Sequence, residues 1–137
     1  MNRCFTAPLT RRGAWACVAL ALLATHGLAS AASYPPRELP KGSLRGELTL
    51  GNWPEATLGK LGVRMAPGAR IKSAGNTLVM PNLITGTKLK VNYTVDLYGL
   101  VHEVWVLRPD ELAQLWPETP EQASKWTFDP VTRTWTK

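Results

Sequence analysis

The chain has 137 residues and a formal net charge of +6. Three of its 16 basic residues (Arg3, Arg11, Arg12) and none of its 10 acidic ones precede residue 32, so the remainder carries only +3. That remainder has no cysteine and one histidine, His102, which excludes a disulfide, a thiol nucleophile and a thiolate metal site. Its charge is below the level expected of a nucleic-acid-binding domain, and no nucleic acid partner is expected.

The first residues read as a signal peptide. Arg3, Arg11 and Arg12 precede the apolar run Ala14–Leu23, and small residues follow at Ala29-Ser30-Ala31. A positive start, an apolar stretch and an A-x-A site are the layout of a secretory leader, here 1–31. The apolar run is about half the ~20 residues that a spanning helix needs, so no membrane span is expected after cleavage. The expected location is periplasmic or secreted. Residues 32–41 (ASYPPRELPK) hold three prolines, which rule out helix and central strand and leave an extended or disordered arm.

From residue 42 the apolar residues alternate. Leu44, Leu48 and Leu50 share one face, as do Leu61, Val63 and Met65, and Leu89, Val91, Tyr93 and Val95. Period-2 alternation predicts strands with one buried face. The run Leu100–Leu107 is apolar on both faces except for His102 and Glu103, which fits a more buried strand. Gly51-Asn52-Trp53-Pro54, Pro67-Gly68, Gly75-Asn76 and Asp96–Gly99 read as turns. Gly75-Asn76 predicts a hairpin between Ile71 and Leu78–Met80, and Asp96–Gly99 an antiparallel pairing of the strands that flank it. Pro109–Trp116 predicts a short helix opened by proline and stopped by Pro117. Thr119 with Gln122 predicts a capped helix to about Trp126. The tail predicts a hairpin turning at Asp129-Pro130.

The expectation is a mainly β protein: a small five-stranded antiparallel barrel over 42–108, with a helical and hairpin extension over 109–137 packed on it. From Gly42 to Leu107 the order of features resembles small exported bacterial OB-like β-barrel domains of unknown function. The resemblance rests on Gly42-Ser43-Leu44-Arg45-Gly46, on Gly68-Ala69-Arg70-Ile71, on Leu83–Val91 with its Gly86, and on Gly99-Leu100-Val101. It implies the barrel fold and carries no catalytic residue.

No catalytic residue and no metal site is expected. A zinc site needs three or four converging ligands, and His102 and Glu103, adjacent on a strand, point to opposite faces. No nucleophile motif is present, and no cofactor is expected. The basic residues suggest binding instead. Lys88 and Lys90 share one strand's polar face, Lys60 and Arg64 another's, and Arg70 and Lys72 a third's. If these faces adjoin, they form a basic patch on a curved sheet. Trp53, an aromatic on a turn, is the expected contact residue. The expected function is a non-enzymatic binding or accessory domain of the cell envelope, with an anionic envelope polymer or a protein as partner. The alternative is a small enzyme using carboxylates or His102.

Overall fold

Alternation does become strand. The computed structural model describes residues 34–137; the leader over 1–31 and the first two residues of the arm lie outside the described residues. Seven strands form among the described residues: β1 (Leu44–Leu50), β2 (Glu55–Leu58), β3 (Leu61–Lys72), β4 (Lys88–Val95), β5 (Val101–Val106), β6 (Thr127–Asp129) and β7 (Thr134–Thr136). The first five close into a barrel in the order β1-β2-β3-β5-β4, and β6 and β7 pair as a separate hairpin. Leu48, Leu50, Met65, Ile71, Val91, Val101 and Val104 fill the barrel, each 3% exposed or less.

The barrel is mixed rather than purely antiparallel. β3 and β5 run parallel, while every other neighbouring pair in the barrel is antiparallel. The cause is parity. Five strands cannot close on themselves with every neighbour reversed, so one pair must run the same way. Parallel neighbours need a long crossover, and the chain supplies it through the irregular segment 73–87 and β4. The expected antiparallel pairing across Asp96–Gly99 forms.

Other local expectations change. Pro67-Gly68 is no turn but lies within the 12-residue β3. The β3–β5 register shifts between Met65 and Arg70, a bulge that accommodates the proline and bends the strand. The expected hairpin at Gly75-Asn76 shrinks to one bridge, Lys72 to Leu78, because Leu78 and Met80 face solvent at 70% and 68% exposure. The expected helix over 109–116 is a single turn, α1 (Pro109–Leu112). Arg45 donates to the carbonyls of Glu111, Leu112 and Gln114, which redirects the chain after that turn. Trp116 Nε1 then donates to the Ser43 carbonyl at 2.9 Å, and the Pro117 carbonyl accepts from Arg45 N. The capped helix forms as α2 (Pro120–Lys125), with the Thr119 hydroxyl accepting from Gln122 N. Trp116 packs edge to face against Phe128 and Trp135, which are tilted against each other, with ring centres 5.2–6.2 Å apart.

Candidate functional site

Two loops and one strand build a groove at one mouth of the barrel. The β1–β2 loop places Trp53 and Pro54 on one side, fixed where Glu55 N donates to the Asn52 carbonyl and Met65 N to the Pro54 carbonyl, both at 2.8 Å. The β4–β5 loop places Leu100 on another. There Asp96 Oδ1 accepts from Tyr98 N at 2.8 Å and Leu100 N at 2.9 Å, and Gly99 takes a φ of 77°, which favours glycine. β3 supplies Arg64, Met65 and Pro67 as the floor, and the groove encloses about 390 Å³. Trp53 is 45% exposed, and on the β4–β5 loop Leu97 and Tyr98 are 101% and 88% exposed. This mouth presents apolar and aromatic groups beside one guanidinium. It suits a ligand with a flat face and a negative charge.

The seven residues singled out from sequence are divided over the outside. Trp53 and Arg64 meet in the groove, where Arg64 Nε is 3.6 Å from Glu55 across the β2–β3 pair. Lys60 is exposed in the turn between β2 and β3. Arg70 lies opposite Glu103 on β5. Lys72 Nζ sits 5.3 Å from the centre of the Trp105 ring. Lys88 and Lys90 lie on β4 against β1, and Lys90 Nζ is 3.0 Å from a Glu47 oxygen. That lysine's hydrogen bond is the main cause holding the Glu47 carboxyl below its ordinary pKa. β5 stands between β3 and β4, so the Arg70–Lys72 and Lys88–Lys90 faces do not adjoin. His102 is exposed. Among the described residues no three His, Cys, Asp or Glu side chains converge to hold a metal.

A second polar centre is invisible to sequence reading. Arg37, in the proline-rich arm, is only 4% exposed at its side chain. Its Nε donates to Glu111 Oε1 at 2.7 Å and its Nη2 to Oε2 at 2.8 Å. It also donates to the carbonyls of Ser73 (2.7 Å) and Val106. Arg108 joins the same carboxylate, through its backbone N at 2.9 Å and its Nη2 at 3.0 Å, and donates from Nη1 to the Pro35 carbonyl. Burial pushes the Glu111 carboxyl up, but the hydrogen bonds from Arg37 and Arg108 outweigh it and hold the group below its ordinary value. The arm is therefore docked through residues 35 and 37, not free.

Comparison with protein families, curated proteins and solved structures finds no match to this chain.

Proposed function

We propose that this chain is an exported, non-enzymatic binding domain of the cell envelope, an OB-type barrel whose mouth engages an anionic envelope polymer. The order β1-β2-β3-β5-β4 with its parallel β3–β5 pair supports the OB-type reading. Barrels of that type bind on the β2–β3 face between the β1–β2 and β4–β5 loops, which is where Trp53, Arg64 and Leu100 form the groove. The observation that carries the proposal is the meeting of Trp53, an exposed aromatic, with Arg64 over an apolar floor. The exposed Trp53 ring offers a face for stacking, and the guanidinium adds a planar donor for an oxyanion.

A thermal-shift series with lipopolysaccharide, anionic wall fragments and neutral glycans tests this. A ligand at ~100 times its Kd should add about 2.7 kcal/mol of stability. The expected result is a salt-sensitive shift with an anionic polymer that Trp53→Ala and Arg64→Gln each remove. A shift that survives both substitutions, or no shift with any polymer, overturns the proposal; in the second case cross-linking in the envelope would seek a protein partner.

A further inference from the structure

A second cleft lies on the flank of the barrel, away from the mouth, and the docked arm builds one of its walls. It encloses about 380 Å³ between Tyr34, Pro35 and Pro36 of the arm, Lys72 and Trp105 of the β3–β5 pair, and the turn at Asn76. Lys72 and Trp105 are direct neighbours in register. Trp105 is 3% exposed and lies outside the cluster that fills the barrel, at the floor of this cleft. Tyr34 is 49% exposed, with the Arg108 guanidinium 5.7 Å from its ring centre.

The charge around this cleft is unbalanced. Arg37 and Arg108 both line it and share the Glu111 carboxylate, and Arg108 has a second, looser ion pair with Asp110. Arg108 Nε is buried with no hydrogen-bond acceptor among the described residues, and its nearest further carboxylate, Asp110, is 3.8 Å away and exposed. Glu38, the acidic residue of the lining, is drawn to Arg133 at 2.8 Å. Lys72 has an aromatic ring beside it but no carboxylate partner among the described residues. Among the described residues Lys72 is thus the cation of the lining that no carboxylate neutralises, in a cleft with ring and proline walls, and an anion there would pair with it.

We propose that this cleft is a binding site for a small anionic sugar. Lys72 takes the carboxylate or phosphate, the ring of the sugar lies against Tyr34 and the arm prolines, and the exposed amide of Asn76 reaches its hydroxyls. The site exists only while Arg37 holds the arm down, so ligand and arm stabilise each other. It does not depend on the mouth.

The test is an amide and indole NMR titration of the full chain with glucuronate, glucose 1-phosphate and glucose. Saturable shifts at Trp105 and Asn76 with glucuronate or glucose 1-phosphate, and none with glucose, are expected. Lys72→Met should weaken binding about tenfold, the loss of one charge-assisted hydrogen bond, while Trp53→Ala should leave it unchanged. Equal response to glucose, no saturable response to either anion, full binding in Lys72→Met, or loss in Trp53→Ala each overturns the proposal. Should Lys72→Met fail to fold, the map of shifted resonances in the unmodified chain decides alone: a response centred on Trp53 places the ligand at the mouth and overturns the cleft.

Discussion

Replacing Arg37 by methionine keeps much of the side chain's length and removes its charge and donors. The guanidinium is 4% exposed and Glu111 6%. Removing one partner of a buried pair costs about 3–5 kcal/mol, because the remaining charge stays buried. Here Arg108 still donates to both Glu111 oxygens, so the low end applies, about 3 kcal/mol. In a domain of this size that lowers Tm by roughly 10–20 °C. The dependence on pH carries the sharper prediction. The folded-state pKa of Glu111 lies below its ordinary value, so its contribution is complete above the unfolded pKa and is lost as pH falls through the folded one. Without Arg37 the largest single hydrogen-bonding cause of that depression is gone. Urea titrations of both proteins should therefore differ by about 3 kcal/mol at pH 7. The gap should narrow below about pH 4, near the ordinary glutamate pKa. A difference under about 0.5 kcal/mol at pH 7, the range of ordinary surface substitutions, would refute the docked arm. So would a gap that does not change with pH.

Asp96→Ala removes the acceptor for Tyr98 N and Leu100 N; hydrogen exchange at those two amides should accelerate, with a stability loss of about 1–2 kcal/mol by denaturation. Trp116→Phe leaves the buried Ser43 carbonyl without its indole donor and should cost about 1–3 kcal/mol in the same assay. Glu47→Gln breaks an ion pair with Lys90 whose lysine is 57% exposed, so urea titration should show little change in stability, shrinking further in salt. Gly46→Ala would bring a methyl to 3.2 Å from the Tyr93 ring. The ring must yield, and near-ultraviolet circular dichroism should register its displacement together with a modest fall in Tm.

The strands that face solvent on one side were the most legible part of the chain. β1 and β4 alternate over Leu44–Leu50 and Lys88–Val95 and pair with each other, although Asn92 of the expected polar face is buried and Val95 of the expected apolar face is 51% exposed. β2 was hidden: Glu55–Leu58 is four residues long, too short for a period to show. Pro67-Gly68 read as a turn because local chemistry cannot reveal that a bulge will carry the strand through it. Pairing order was not legible either. Each polar face could be read from its own strand, but only the closed barrel shows β5 between β3 and β4. Trp53 was visible as an aromatic on a turn, whereas Arg37 gave no signal, since its carboxylate lies 74 residues away in sequence.

The way β1 is sealed sets an order of events during synthesis. Its start bonds to a segment far along the chain: Ser43 O, just before the strand, accepts from the Trp116 indole across 73 residues, and Arg45 N donates to Pro117 O. Its other long edge waits for β4, and β3 waits for β5. A chain emerging from its N-terminus can form the β1–β2–β3 meander early, but that sheet has two open edges. Closure comes only once β5, ending at Val106, is free, so contacts distant in sequence dominate the final step, the condition under which folding is slow. Until then the meander's unpaired edges are the part of this protein most exposed to misassociation.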